Sequence, residues 1–312
     1  MFRRILLPLD GSQAAEDVLR LGIPIARALG SSVELLHVIP DRKSLARMGP
    51  EDPLDWRMSS RRASEYLVGP MRKLAEAGVT AEPRVEEGGP AEIIVRILQE
   101  GHHDLVALTP HGMGGRDELS LGCTTGAVLL HAPCSLLLVP PGSDNSRLRR
   151  ILVPVDGSPR AEWAMDLAFH LAESLGVEIS LVHALVQPKR FGLLPGDEEQ
   201  DETFRRLFRS NRAAAVRFLS QLKERHSTQG LRVEVRILEG TGDVSGRLLS
   251  EADSSGADLV VLSAHGRDET VGWRLGAVPL RFLLAATVPT LLMQDLVKPK
   301  GSARQDAPHP YR

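Results

Sequence analysis

The stretch from Asp104 to Thr125 reads DLVALTPHGMGGRDELSLGCTT, and the rest of the chain is organised around it. Its first apolar run, 105–108, predicts a strand; a glycine-dense loop follows, and Gly122 then precedes an apolar stretch of helical length. A strand, a glycine loop and a helix start in this order can point backbone N–H groups at an anion. The stretch from Asp258 to Val278, DLVVLSAHGRDETVGWRLGAV, repeats the pattern. The sequence therefore predicts the same arrangement twice.

The repetition extends over both halves of the chain. Residues 4–12, RILLPLDGS, reappear almost unchanged at 150–158 as RILVPVDGS, and Pro133 is matched by Pro289. A match over this length indicates a duplicated domain. The polar segment that begins at Pro140, PPGSDNSRL, is typical of a linker. We therefore predict a first domain at 1–140, a linker at 141–148, a second domain at 149–297 and a disordered tail at 298–312.

Composition limits the classes of function. The 312 residues are 42% hydrophobic and 25% charged, which is typical of a globular protein with a sizeable core. A net charge of −2 argues against nucleic acid or an anionic membrane as the main partner, and no run reaches the ~18 apolar residues that span a bilayer. Pro8 and Asp10 interrupt the apolar N-terminus too early for a signal peptide. Because two cysteines make no disulfide framework, we expect a reduced, cytoplasmic protein.

Helix and strand signals alternate along each half. Ser12 and Gly30 are suited to cap a first helix, as are Ser158 and Gly176 in the second half. Strands that alternate with helices become parallel strands joined by right-handed crossovers. The sequence therefore predicts an α/β fold with a doubly wound parallel sheet in each half.

Some segments give weaker signals. Residues 41–58 contain several Pro and Gly residues and are expected to be irregular. A helix is expected over 60–77, where Pro70 either kinks it or restarts it. In the second half, the apolar spacing predicts a longer helix over 198–223.

The two glycine loops supply the first candidate binding residues. The first copy reads T-x2-G-x9-G-C and the second S-x2-G-x9-G-A, which singles out Thr109, Gly112, Gly122 and Cys123, and Ser263, Gly266, Gly276 and Ala277. Glycines allow the backbone to approach phosphate oxygens, and N–H groups at the next helix start can bind them. Neither copy is a P-loop, because the lysine and the Mg²⁺-binding hydroxyl of GxxxxGK[ST] are missing. A flexible loop without a ligand is the alternative interpretation.

Asp10 and Asp156 each end the first strand of their half, in PLDGS and PVDGS. Ligands of open parallel sheets bind beyond the carboxyl ends of the strands, where a carboxylate can hold ribose hydroxyls. The alternative is that each aspartate only caps the following helix, while the glycine allows a tight turn. The presence of an aspartate and a glycine loop in both halves favours a shared site.

The histidines give no clear catalytic signal. His111 and His265 precede the loop glycines, but no second His or Cys lies at metal-ligand spacing and no nucleophile can be paired with them. We interpret these two as structural or ligand-lining. His37 and His183 lie on apolar strands and are expected to be core histidines, whereas the pair at 102–103 is expected to be a solvated loop.

Both cysteines are interpreted as packed thiols. Cys134 flanks an apolar strand. Cys123 lies at a predicted helix N-terminus, which can lower the pKa of a thiol, but packing is the favoured interpretation. The sequence thus predicts a pocket and no catalytic residue.

Taken together, these motifs resemble the universal stress protein family in its tandem two-domain form. The resemblance rests on the PLDGS and PVDGS strand ends, the HG-x9-G loops and the ending APCSLLLVP at 132–140, and it covers both halves. It implies a Rossmann-like, five-stranded parallel sheet per domain in the order 3-2-1-4-5, which brings the strand ends at Asp10 and Thr109 side by side. It also implies that the last strands pair the two domains and that tandem chains can form homodimers.

One branch of this family binds ATP through G-x2-G-x9-G-[S/T], and another lacks the motif and binds no nucleotide. The resemblance implies that the adenosine part would be met by Leu9, Asp10 and Val38 in the first domain, and by Val155, Asp156 and Ala184 in the second. The phosphates of ATP or AMP, with or without Mg²⁺, would be surrounded by Thr109, Gly112, Gly122, Cys123 and Thr124, with His111 lining the site, and by Ser263, Gly266, Gly276 and Ala277.

The sequence departs from that motif at two positions in each copy. Thr109 and Ser263 replace the first glycine, and Cys123 and Ala277 replace the final hydroxyl residue. One lost neutral hydrogen bond costs ~0.5–1.5 kcal/mol, which is about tenfold in affinity. The departures would therefore weaken a site without abolishing it. Thr124 keeps a hydroxyl near the first site, which favours the first domain.

The leading expectation is a stress-linked regulator that binds adenine nucleotide mainly in the first domain, with little or no catalysis. The alternative is a nucleotide-free scaffold that acts through protein–protein contact, since the glycine and hydroxyl positions are lost. Slow ATP hydrolysis is the weakest hypothesis, because no lysine or acidic metal pair accompanies the loop.

Overall fold

The structure is a computed structural model that describes residues 2–39, 53–110, 121–143, 148–187, 198–227, 230–266 and 275–294. Strands and helices alternate through both halves, as predicted. The strands are β1 Arg4–Pro8, β2 Ser32–Ile39, β3 Ala81–Glu87, β4 Leu105–Leu108, β5 Ser135–Leu138, β6 Arg150–Pro154, β7 Glu178–Val186, β8 Val233–Gly240, β9 Leu259–Ser263 and β10 Thr290–Met293. The helices are α1 Gln13–Leu29, α2 Pro53–Glu76, α3 Pro90–Gln99, α4 Cys123–His131, α5 Pro159–Leu175, α6 Glu198–Ser227, α7 Val244–Ser255 and α8 Ala277–Ala285.

The ten strands form one sheet in the order β3-β2-β1-β4-β5-β10-β9-β6-β7-β8. Within each half the pairing is parallel and follows the order 3-2-1-4-5, so the predicted doubly wound fold is confirmed. The halves meet where β5 pairs antiparallel with β10, with Leu137 opposite Leu291. The winding reverses between the first and fourth strand of each half, which is where ligands of such sheets bind.

Helices cover both faces of the sheet because alternate strand residues point to opposite sides. Ile5 and Leu7 pack in one apolar cluster and Leu6 in the other. The first cluster takes side chains from α1, α2, α5 and α6, and the second from α3, α4, α7 and α8. Each cluster contains residues of both halves, so a continuous apolar layer lies on either side of the shared sheet.

The predicted helix caps are present. The Ser12 hydroxyl accepts a hydrogen bond from Ala15 N at 3.1 Å, and the Ser158 hydroxyl accepts one from Ala161 N at 3.2 Å. Gly30 and Gly176 end α1 and α5 with φ of 64° and 68°, the left-handed conformation that glycine adopts without strain. The serines therefore fix where α1 and α5 begin, directly after the first strand of each half, and the glycines fix where they end.

Three local expectations need correction. Helix α2 begins at Pro53, a residue suited to the first helical turn, so 53–58 is helical rather than irregular. The same helix continues through Pro70, so of the two alternatives expected there the restart is wrong. In β4, Leu105 pairs with Ser135, and in β9, Val260, one residue beyond the equivalent of Leu105, pairs with Thr290. Pro289, one residue before Thr290, is therefore the equivalent of Ser135 and not of Pro133. Among the described residues, no helix combines the length and apolar character needed to span a bilayer.

Candidate functional site

The first strand of each half ends in a tight turn formed by its aspartate and glycine. Asp10 Oδ1 accepts hydrogen bonds from Ser12 N at 2.9 Å and from the Ser12 hydroxyl at 2.6 Å. Asp156 Oδ1 accepts one from Ser158 N at 2.9 Å. Gly11 and Gly157 have φ of 87° and 76°, which favours glycine there. The aspartates therefore do stabilise the turn, as the capping interpretation expected.

A histidine on the second strand of each half is bonded to the end of the first strand. His37 Nδ1 lies 2.7 Å from Leu9 O, and His183 Nδ1 lies 2.7 Å from Val155 O. Because a carbonyl can only accept, Nδ1 carries the hydrogen in both cases. Both side chains are half-buried. Both histidines therefore have a hydrogen-bond partner, as expected of core histidines, but they are only half-buried. The repeated Leu-His and Val-His positions were the sequence signal that marked them.

The glycine loops are closed by the same backbone contact in both halves. Gly122 N donates to Pro110 O at 2.9 Å, and Gly276 N donates to Ala264 O at 2.8 Å. In the second half, a Cβ on Gly266 would lie 2.6 Å from Asp156 Oδ2, so a larger residue there would displace this carboxylate. The strand-end aspartate and the loop glycine, far apart in sequence, therefore meet. The predicted residues His111 and Gly112 lie outside the described residues.

A cavity of about 510 Å³ opens at this point in the second half. All seven residues predicted for the second site line it: Val155, Asp156, Ala184, Ser263, Gly266, Gly276 and Ala277. His183 also lines it, as do Val244 and Leu248 of α7, which had no motif to mark them. Ligand cavities in proteins commonly have volumes of roughly 300–1,000 Å³, so this one is large enough for a nucleoside or a nucleotide.

The first half holds those of its predicted residues that the structure describes in the equivalent places. Leu9 is buried, Asp10 is exposed and Val38 is half-buried at the ends of β1 and β2. Thr109 is 7% exposed, and its hydroxyl has no hydrogen-bond partner among the described residues. Cys123 is exposed at the start of α4, so the expectation of a packed thiol is wrong there. Thr125 in the same turn is buried, so the orientation of α4 on the sheet determines which of these side chains is exposed.

The two helix starts differ in their first turn. In the first half the turn is Cys123, Thr124 and Thr125, and the Thr125 hydroxyl donates to Thr109 O at 2.9 Å. In the second half it is Ala277, Val278 and Pro279. Proline has no backbone N–H, and the three side chains offer no donor. The first half therefore has the more polar helix start.

A buried charge cluster lies at the opposite edge of the sheet, near the strand starts. Glu34 accepts from Arg4 Nη2 at 2.6 Å, and His103 Nε2 lies 3.2 Å from the same carboxylate. Arg84 Nη1 contacts the other oxygen at 3.3 Å. Burial acts to raise the pKa of Glu34, but His103, Arg84 and Arg4 together hold it below its ordinary value. Burial lowers the pKa of His103 despite the neighbouring Glu34.

The sequence interpretation of His102 and His103 as a solvated loop pair is therefore wrong for His103. Its neighbour His102 is exposed, but His103 is 6% exposed. Glu34 lies 69 residues away in sequence, so no local pattern could have connected the two. Among the described residues, no group of three or more His, Cys, Asp or Glu side chains is placed to hold a metal ion.

Comparison with protein families gives one match along both halves. A model of the universal stress protein family matches residues 1–140 and 147–294. A universal stress protein of Mycolicibacterium smegmatis is 26% identical over 300 residues, which are 93% of this chain and 96% of that protein. A universal stress protein of Mycobacterium tuberculosis is 26% identical over 304 residues, 93% of this chain and 97% of that protein.

Comparison with solved structures supports the same fold. The crystal structure of a universal stress protein from Archaeoglobus fulgidus superposes with a TM-score of 0.65 at 21% identity, covering 93% of this chain and 98% of that one. The crystal structure of a universal stress protein from Pseudomonas aeruginosa gives a TM-score of 0.61 at 18% identity, covering 94% and 93%. At this identity the likeness concerns the fold alone.

Proposed function

The chain belongs to the universal stress protein family, and we propose that it is a stress-response regulator that binds an adenine nucleotide, ATP or AMP, with little or no turnover. One observation carries this proposal: the second-half cavity is lined by all seven residues predicted for that site. A chance arrangement would not bring the ends of two strands, a glycine loop and a helix start to one cavity of ligand size. The strand-end carboxylate would accept hydrogen bonds from ribose hydroxyls, as in other open parallel sheets.

We propose the first half as the main nucleotide site. It repeats the contacts that shape the second cavity, namely the histidine bond to the strand end and the loop-closing bond to Gly122 N. Its helix start keeps three backbone N–H groups, on Cys123, Thr124 and Thr125, where a phosphate can bind. The buried Thr109 hydroxyl, which has no partner in the part of the chain that the structure describes, provides a further polar group directly after β4. No described residue is proposed as catalytic.

Titration of ATP and AMP against matched variants tests this proposal. Gly122→Val places a branched side chain at the first helix start, and Gly276→Val does the same in the second half. We expect Gly122→Val to lower nucleotide affinity at least tenfold and Gly276→Val to leave it within about twofold, because the main site lies in the first half. Circular dichroism and the melting temperature control for folding.

Asp10→Asn provides a second, milder test. The amide oxygen can still accept from Ser12 N and keep the turn, while the charge that would bind ribose hydroxyls is lost. Hydrogen bonds to charged groups contribute about 1.5–3 kcal/mol, so we expect a loss of affinity of about tenfold or more. If wild-type protein binds neither ATP nor AMP at millimolar concentration, the nucleotide proposal is wrong and a scaffold role takes its place.

A further inference from the structure

The helix starts at the two candidate sites offer different numbers of hydrogen-bond donors. In both helices the fourth N–H is the first to bond within the helix: Gly126 N donates to Gly122 O at 2.8 Å and Leu280 N to Gly276 O at 3.1 Å. The three N–H groups before it have no acceptor inside the helix. In α4 all three exist, whereas in α8 the third position is Pro279, which has none. The helix start of the second half therefore offers one backbone N–H group fewer to an anion.

The side chains around the second cavity reinforce this difference. Val278 and Pro279 line it at the helix start, where the first half has two threonines. Among the described residues that line the cavity, Asp156 carries a charge, and none is a lysine or an arginine. At this helix start a phosphate would lose water and meet the apolar side chains of Val278 and Pro279, which is less favourable than meeting the threonines of the first half.

The polar groups of the cavity are suited to a ligand that donates hydrogen bonds. Asp156 provides a carboxylate, which accepts only. His183 donates through Nδ1 to Val155 O, so in the neutral imidazole Nε2 is an acceptor. Ser263 adds a hydroxyl on the same wall. Ribose hydroxyls and an exocyclic amino group are donors of the kind that these acceptors would bind.

From these contacts we propose that the second-half cavity binds an uncharged nucleoside, such as adenosine, in preference to its phosphate esters. The proposal rests on the proposed function, because it assumes that the same strand ends hold the adenosine part in both halves. It makes the two halves unequal: the first takes the nucleotide, and the second takes the nucleoside. A single chain would then respond to the ratio of the two.

Binding measurements on single-site variants of the full chain test this proposal. Val38 and Ala184 are equivalent, since each follows the bonded histidine and pairs with the third strand, Val38 with Glu86 and Ala184 with Leu238. Val38→Phe should fill the first site and Ala184→Phe the second. In extensively dialysed Val38→Phe protein, we expect calorimetry to detect adenosine binding and AMP binding at least tenfold weaker.

A donor-restoring variant links that preference to the helix start. In the Val38→Phe background, Pro279→Ala returns the missing N–H, and we expect it to strengthen AMP binding about tenfold relative to adenosine binding. Pro90→Ala, which removes a proline from the start of α3 in the other half, serves as the matched control and should change neither affinity.

Two results would overturn the proposal. One is AMP binding to Val38→Phe protein as tightly as adenosine; the other is no adenosine binding up to millimolar concentration. If Val38→Phe does not fold, the wild-type stoichiometry decides: two adenosines but one AMP per chain support the proposal, and equal numbers contradict it. The proposal of a nucleotide site in the first half is tested separately with Ala184→Phe protein, in which the second site is filled. That proposal is wrong if this variant binds neither ATP nor AMP.

Discussion

Replacing Glu34 by glutamine should destabilise the first half of the protein. The Glu34 side chain is 5% exposed and lies between Arg4 and Arg84, with His103 against the same carboxylate. Glutamine has nearly the same size but no charge, and its amide nitrogen would face a guanidinium. The two arginines would then lose the anion that compensates them, while the packing around the side chain would stay the same.

The expected loss in the free energy of unfolding is about 2 kcal/mol. Removing one partner of a fully buried ion pair costs roughly 3–5 kcal/mol, because the other charge is left without compensation. Here the side chains of Arg4 and Arg84 are 37% and 30% exposed, so water can solvate part of each charge and reduce the cost.

Urea unfolding at neutral pH measures this loss, and Glu178→Gln is the matched control in the second half. Glu178 is also bonded to two arginines, Arg150 and Arg232, but its side chain is 28% exposed. Exposed pairs contribute about 0–1 kcal/mol, so the control should lose less than 1 kcal/mol. Equal losses for the two variants would refute the reasoning from burial.

Acid should weaken the wild-type first half more than the Glu34→Gln variant. Since the folded pKa of Glu34 is lowered, its contribution is present above the ordinary carboxyl pKa and is lost as the pH falls through the lowered value. The folded pKa of His103 is also lowered, so its protonation favours the unfolded chain in the wild type and in the variant alike. The two proteins are therefore compared below the ordinary carboxyl pKa, where only the wild type loses the Glu34 contribution. An identical pH dependence of unfolding in the wild type and the variant would contradict this assignment.

Two further pairs of substitutions test the cavity and the helix caps. Gly266→Ala should weaken adenosine binding about tenfold, because the added Cβ would lie 2.6 Å from the Asp156 carboxylate and displace it. In Gly276→Ala the added Cβ lies 3.4 Å from its nearest atoms, so the effect on binding should be smaller. Equal effects of the two variants in calorimetry would contradict this. Ser12→Ala and Ser158→Ala each remove a helix cap and should lower the free energy of unfolding by about 1 kcal/mol. Urea titrations measure this loss, and an unchanged free energy of unfolding would show that the caps do not stabilise the helices.

Much of the fold could be predicted because its signals are local. The N-cap serines and the left-handed glycines after α1 and α5 depend on a few neighbouring residues, so the sequence was sufficient to identify them. The strand order followed from the family resemblance, and the pairing of β1 with both β2 and β4 confirms it. The start of α2 was missed because proline and glycine near 41–58 obscured the helical pattern.

The parts that could not be predicted depend on contacts between distant residues. His103 looked solvated in sequence because its partner, Glu34, is on another strand. The cavity wall formed by Val244 and Leu248 comes from a helix without any motif, and only the fold brings it to the strand ends. The exposure of Cys123 depends on how α4 is oriented on the sheet, which apolar periodicity over nine residues does not determine.

The central claim is that this protein binds an adenine nucleotide, and mass spectrometry of the small molecules released by heat from freshly purified protein tests it most directly. We predict about one ATP or AMP per chain, absent from Gly122→Val protein and retained by Gly276→Val protein. Release of no nucleotide, together with no binding at millimolar concentration in solution, would contradict the claim.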